Sequence, residues 1–436
     1  MRSSPLFRPL PVAPLERVGR RLVSWRLLRL AAPAYLALML IVWAVLLNLW
    51  LGGARGFDRY GVVLGPDFPA FYTGGWLVRH GERSLLYDLE RQQAVQQLTL
   101  PGSALSAYVN PPHYSLFAAP FSALSYPAAF ALWSLLMLAA FVASLLLLRP
   151  LLPTLQVRRG WLLATLALLS APVYYALSAG QNTGLSLLLH SAIVLALTRR
   201  RAVLAGLLIA LGMFKPQLFV GLLPLLALGL PNRQRWRLLL SFALSAGLLG
   251  LLTLGLFGLD TLMQWQALLR SPLYQAEELR QAAKMFSWQP FWALLLGANA
   301  VSAALGWGSA LLTFVGLCAL WRRADQDLPL RYAITLCGLL LIGPHLPVYD
   351  LALLILPALI IADRVLHAPP ERWLLLRVLL LALYVSVLFS DQVRTTHVQI
   401  VAPLMAAVAL LAVPLLRAPA ALPKAVRSET SASGAV

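Results

Sequence analysis

The sequence predicts an all-α integral membrane protein, a polytopic bundle of roughly ten to thirteen transmembrane or re-entrant helices. Three observations predict it. Of 436 residues, 60% are hydrophobic and only 12% charged, too few charges to cover a soluble surface of this size. Apolar runs of membrane-spanning or near-spanning length recur along the whole chain. The charges between those runs are unevenly distributed, as membrane topology requires.

The elements follow in order. Residues 1–30 form a basic cytoplasmic N-terminus with seven arginines. The apolar run Ala31–Leu51 is long enough to span a bilayer core of about 30 Å. A signal peptide would have a shorter core and a small-residue cleavage site. The run therefore reads as an uncleaved anchor with its N-terminus inside. Residues 52–126 are of mixed polarity and form a long first outer loop. Within it, Leu85–Leu98 reads as an amphipathic helix on the membrane surface: Leu85, Leu86, Leu89 and Val95 are apolar among Glu90, Arg91, Gln92 and Gln96. Tyr114–Leu124 reads as a second interfacial stretch. Apolar runs then cover Pro127–Leu148, Gly160–Ser178, Thr183–Thr198, Ala202–Met213, Pro216–Leu230 and Arg237–Phe257. A second outer loop, 258–289, precedes runs at Pro290–Trp321, Leu330–Ile342, Leu351–Ala362, Trp373–Ser390 and Val398–Leu416. Residues 31–416 read as one membrane domain, and 417–436 as a disordered cytoplasmic tail.

Alternating these runs from an inner N-terminus places 25 of the 35 basic residues inside, with only six of the 16 acids. The inner side then carries the whole net charge of +19. The outer side, with ten basic and ten acidic residues, sums to zero. This is the positive-inside bias of a polytopic protein rather than a nucleic-acid surface. Both termini fall in the cytoplasm of a bacterial cell, and the expected location is its inner membrane.

Several runs are too short to cross alone. Ala202–Met213 extends only about 18 Å as a helix. With Pro216–Leu230 it makes a hairpin whose tip, Phe214-Lys215-Pro216-Gln217, lies below the outer surface. Leu330–Ile342 and Leu351–Ala362 flank a similar tip, Gly343 to Asp350. Broken backbone at membrane depth is tolerated only where protein or a wet cavity surrounds it.

The polar, proline-rich junctions all fall on the outer side, whereas the inner junctions are short and mostly arginine. That asymmetry points to a site on the outer face. Asp67, in Gly65-Pro66-Asp67-Phe68-Pro69-Ala70-Phe71-Tyr72, is held stiffly by its prolines. Beside an apolar boundary its pKa rises by desolvation, towards the range of a base that takes a hydroxyl proton. It reads either as that base or as a turn or cap aspartate. Lys215 interrupts an apolar run, where a lysine costs about 2.5–3.5 kcal/mol. Either it binds an anion such as a lipid phosphate, or it snorkels to the surface. Asp350 pairs with Lys215 or another base, or caps the following helix. Arg270, Arg280, Lys284 and Arg394 are outer cations that either clamp phosphate or are simply solvated. Gln181 and Asn182 are placed to hydrogen-bond a sugar or to make a turn. Tyr72, Tyr108, Asn110, His113, Gln217, Trp288, Gln289, His345 and Tyr349 complete the candidate substrate-binding set.

Other signals carry less. Cys318 and Cys337 lie in apolar runs and read as packing thiols, with no metal-ligand spacing. Asp325-Gln326-Asp327 matches a DxD pattern but sits in a short inner connection with no soluble domain or Gly-rich loop around it.

Taken in order, the anchor, Asp67-Phe68 with Tyr72, Gly81, Leu86-Tyr87-Asp88 and Tyr108 with Pro111-Pro112 form a motif series. Pro120, Trp133, Gln181-Asn182-Thr183 and Lys215-Pro216-Gln217 continue it. The series resembles glycosyltransferase family 87, over about residues 36–416. The resemblance implies a GT-C-like fold and an integral-membrane hexosyltransferase. It implies a polyprenyl-phosphate sugar donor, typically the mannose form, bound from the outer face as co-substrate. The acceptor would be an envelope glycan or glycolipid. Asp67 matches the family's base position, and Asp58, in the same loop, is the alternative. The adjacent acidic pair of some other GT-C enzymes is absent, and nothing in the sequence calls for a metal or other cofactor. A transporter or flippase of lipid-linked sugars, or a non-catalytic envelope-assembly protein, are the rival readings. A transporter would show paired repeats and polar residues on both faces.

Overall fold

The computed structural model describes residues 25–272, 281–323, 327–366 and 373–417, together with 19 and 274. The basic N-terminus, the C-terminal tail, Arg280 and Asp325 lie outside the described residues. The chain is an all-α polytopic membrane protein, with only isolated bridges and no strand among the described residues. Its helices are α1 (Trp25–Leu51), α2 (Phe68–Arg79), α3 (Leu89–Thr99), α4 (Pro112–Ala118), α5 (Tyr126–Leu148) and α6 (Pro153–Leu168). Next come α7 (Ala171–Ala179), α8 (Thr183–Thr198), α9 (Ala202–Leu211), α10 (Pro216–Phe219), α11 (Leu222–Gly229) and α12 (Asn232–Arg270). The last are α13 (Trp288–Leu296), α14 (Ala300–Trp321), α15 (Leu328–Ile342), α16 (Ile355–Leu366), α17 (Leu374–Ser386), α18 (Val393–Thr396) and α19 (Val401–Ala412).

Among the described residues five helical stretches are long and apolar enough to cross a membrane: 30–51, 126–151, 232–270, 300–321 and 374–396. The run expected at Gly160–Ser178 is instead bent by 45° between Leu168 and Ala171. Pro172 in the first turn of α7 explains the break, because proline cannot continue the preceding helix. The remaining apolar helices are shorter. α15 is buried along nearly its whole length, between α14, α16, α8 and α19. By contrast, α12 exposes Leu240, Leu244, Leu248 and Leu252, an i, i+4 stripe facing outward as a lipid-contacting face does.

Two expectations needed revision. The run Pro290–Trp321 is a helical hairpin, α13 and α14, rather than one span. Gly297 turns the chain at φ +79°, and Asn299 caps α14 by accepting from Val301 and Ser302. Trp288 donates to Thr313 across the hairpin (3.0 Å). Thr313 lies about 20 Å along the axis from Ala300, so the start of α13 is sunk deep beside its partner. The second revision concerns Leu85–Leu98. The helix begins at Leu89, capped by Asp88, which accepts from Arg91. It docks by a mixed face of Gln92, Val95 and Gln96. Gln92 accepts from the Tyr108 amide and Gln96 exchanges two hydrogen bonds with Ser106. These amides do for an extended segment what a neighbouring strand would do.

The short arginine-rich connections meet at one end. Asp363 is fully buried and accepts from the amides of Thr154 and Leu155, both at 2.9 Å, closing the N-terminus of α6. Arg364 bonds Asp363 (2.7 Å) and the Leu151 carbonyl (3.2 Å), and pairs with Asp327. Asp327 also accepts from the Leu330 amide, capping α15. Half of the DxD pattern is therefore a helix cap, which agrees with setting the motif aside. Removing Asp363 would leave two amides and a guanidinium short of an acceptor. Asp363→Ala is expected to destabilise the fold by about 3 kcal/mol. Asp363→Asn, which keeps an oxygen for the amides, is expected to cost about half of that. Denaturant unfolding of the purified protein in micelles checks the order.

Candidate active site

At the opposite end lie the proline-rich junctions. Asp67 stands between Gly65-Pro66 and α2, which carries Pro69 in its first turn. Its amide donates to the Ala179 carbonyl at 3.0 Å, tying this loop to the end of α7. Phe68 inserts among Tyr72, Tyr126, Phe130 and Trp133, and Trp133 donates to the Gly180 carbonyl (2.9 Å). Gly180 has φ +76°, and a Cβ there would stand 2.6 Å from that of Phe68. Only glycine lets these two loops meet so closely. The next residue, Gln181, donates to Asp67 Oδ2 at 2.8 Å.

The Asp67 carboxylate sits at the N-cap position of α2 but makes no capping bond. It faces a cavity of about 340 Å3 instead. Burial pushes its pKa above the ordinary aspartate value. The Gln181 hydrogen bond and the charges of Lys284, Lys215 and His345 pull it part of the way back. The cavity is also lined by Asp58, Asp391, Lys284, Arg394, Trp50, Tyr174, Tyr175, Phe286 and Tyr349. Asp58 shares the cavity, but its Oδ1 accepts from the amides of Tyr60 (2.8 Å) and Val62 (2.9 Å). Between the two loop aspartates, Asp58 shapes its own turn, while Asp67 is held by another element and presented to the cavity.

Lys215 is not free for a ligand. Its Nζ donates to both oxygens of Asp350, at 2.9 and 3.2 Å, with the two side chains 9% and 1% exposed. Thr183 donates to the same carboxylate (2.7 Å), and the Lys215 ammonium lies 5.4 Å from the centre of the Tyr349 ring. Of the alternatives for these residues, the structure adopts the ion pair. Asn110 donates to the Phe214 carbonyl (3.3 Å), and its own carbonyl accepts from Tyr87 (2.6 Å). The first loop is thereby fastened to the lysine tip.

The other candidates separate into lining and supporting residues. Lys284 and Tyr349 line the cavity. His345 lies near enough to act on the Asp67 charge. The adjacent Leu346 carbonyl accepts from Phe286, holding the tip against the 285–287 segment. Tyr72 donates to Leu124 and Tyr108 to Pro111, both within the core. His113 is pushed down to about 4 by burial, so it is neutral near pH 7. Asn182 is fully buried, with neither end of its amide bonded, beside the buried Tyr114 hydroxyl. Trp288 and Gln289 pack towards α14. Gln217 is half-buried in α10 and Arg270 exposed at the end of α12; neither lines the cavity. Among the described residues no three His, Cys, Asp or Glu side chains gather as metal ligands. Tyr174, Tyr175 and Asp391 escaped selection from sequence. The available signal was a tyrosine pair one turn before the Gly180-Gln181 break.

A family model described as glycosyltransferase family 87 matches residues 108–344, just over half of the chain. The match begins after Asp67 and ends before Asp350, so the base candidate is joined to the matched stretch through Ala179 and Gln181. No curated protein and no solved structure matches the chain.

The buried pair makes a thermodynamic prediction. Among the described residues Lys215→Met leaves the buried Asp350 carboxylate with Thr183 as its side-chain donor, and is expected to cost about 3–5 kcal/mol. Lys215→Met combined with Asp350→Asn removes both charges and is expected to recover most of that loss. Unfolding midpoints of the three proteins in one detergent read the difference.

Proposed function

The chain belongs to glycosyltransferase family 87, and from that premise we propose that it moves a hexose, mannose above all, from a polyprenyl-phosphate donor to an envelope glycan or glycolipid. It is a membrane glycosyltransferase; the donor, acceptor and mechanism are our reading. The observation that carries it is the Asp67 carboxylate: unspent on capping, raised in pKa, fixed by Gln181, and facing a cavity that also holds Lys284 and Arg394.

In this mechanism an acceptor hydroxyl docks against Asp67. As its oxygen attacks the anomeric carbon, the proton passes to the carboxylate. The bond from that carbon to the phosphate oxygen breaks on the opposite face, with inversion, and polyprenyl phosphate leaves with the electron pair. Charge grows on the leaving phosphate, so cations placed there stabilise the transition state more than the ground state. Lys284 and Arg394 take that role. Lys215, already neutralised by Asp350, acts as a structural tie and tunes Asp67 from a distance. The positive-inside bias supports placing the cavity on the outer face of a bacterial inner membrane, with both termini in the cytoplasm. No metal or further cofactor enters the mechanism.

The test uses purified protein in nanodiscs, labelled polyprenyl-phosphate mannose and an envelope extract as acceptor. Transfer is expected, and Asp67→Asn is expected to lower kcat by about 10²–10⁴-fold. The absence of transfer from any polyprenyl-phosphate sugar would contradict the reading. A pH profile gives an independent check. The base works ionised, so activity climbs as pH rises through its raised pKa. Gln181 lowers that pKa; Gln181→Ala should therefore move the acidic limb to higher pH. An unmoved limb would mean that another group titrates.

A further inference from the structure

We infer that Asp391 and Tyr175 form the acceptor subsite and grip the hydroxyls of a terminal pyranose ring whose attacking oxygen faces Asp67. This rests on the transferase reading above. Tyr175 donates to Asp391 Oδ2 at 3.0 Å, and both line the same cavity as Asp67. Three observations single out this wall.

First, Asp391 has capacity to spare. Its second oxygen has no hydrogen-bond partner among the described residues, and Arg394, three residues on, forms no ion pair with it. Asp391 is exposed, so that oxygen stands open to water and to a ligand alike. Second, one element carries both contacts: Ala179, whose carbonyl anchors Asp67, and Tyr175, which holds Asp391, lie one turn apart on α7. The same rigid helix thus fixes the base and the gripping group. Third, the chemistry suits a neutral polyol. A carboxylate accepts from two vicinal hydroxyls in charge-assisted bonds. Trp50 and Tyr174 add aromatic surface for the C–H faces of the ring.

Binding can be read without turnover. The full chain in nanodiscs is titrated with methyl α-mannoside and methyl α-glucoside, followed by saturation-transfer NMR. Asp391→Asn is expected to weaken hexoside binding about tenfold or more, and Tyr175→Phe by a few-fold. In parallel transfer assays from the labelled donor to the same hexosides, the Asp391→Asn loss should appear in acceptor KM rather than in kcat or donor KM. No hexoside binding by wild type, undiminished binding by Asp391→Asn, or a loss confined to donor KM would each overturn the subsite. Transfer that favours a plain lipid alcohol or a serine peptide and ignores Asp391→Asn would overturn it too, while leaving the transferase intact. Hexoside binding that depends on Asp391 supports the subsite even if no transfer occurs, an outcome that counts against the transferase reading alone.

Discussion

Three broken helices are held at one end of this membrane bundle by a single buried charge pair, Lys215 with Asp350. The pair joins the tip before α10 to the tip after α15, and Thr183 brings in the start of α8. A polar ladder continues from it in both directions. On one side Gln181, two residues before Thr183, reaches Asp67. On the other, Asn110 bonds the Phe214 carbonyl and accepts from Tyr87. Two charges taken out of water gain little net energy, but breaking their union leaves an uncompensated charge at great cost. The pair therefore specifies register: a tip displaced by one residue loses it. Through Thr183 it also bears on Gln181, the side chain that holds the Asp67 carboxylate.

The bilayer explains why such a tie is needed. Backbone groups at membrane depth must be satisfied within the protein. Short apolar helices such as α9, α10 and α11 are each too short to cross a bilayer alone, so their ends need partners in protein or water. The chain gathers these ends at one face, where side-chain amides, carboxylates and a lysine serve them. The opposite face is closed by the Asp363–Arg364–Asp327 clasp and the caps it supplies. A cavity at one end and a clasp at the other is an arrangement suited to chemistry at one surface.

Much of this was legible in the sequence, because apolar runs and punctuation are local signals. The run Thr183–Thr198 has the observed helix bounds, and the end of the run Arg237–Phe257, at Gly258, is where α12 departs from helical backbone. Asp67, Gln181, Lys215 and Asp350 stand out as polar residues at proline-rich or glycine-rich breaks. Their pairing does not, since hydrogen bonds between residues 114 or 135 positions apart leave no mark on spacing. Lys215 was open to two roles, and only the fold decides that its charge is already spent. The hairpin at Gly297 was hidden inside one hydrophobic run, because hydropathy does not register a change of direction. Asp391 opens an outer polar junction, but nothing local pairs it with Tyr175; that pairing comes from α7, which sets Tyr175 one turn from the anchor of Asp67.

The central claim is that donor phosphate and acceptor meet at the Asp67 cavity, with the phosphate on Lys284 and Arg394. A cryo-EM structure of the Asp67→Asn protein with polyprenyl-phosphate mannose bound tests it most directly. The account predicts phosphate density against Lys284 and Arg394, the anomeric carbon facing residue 67, and the Lys215–Asp350 pair intact. Phosphate bound to Lys215 with that pair opened, or a donor seated at the Arg364 end, would contradict it.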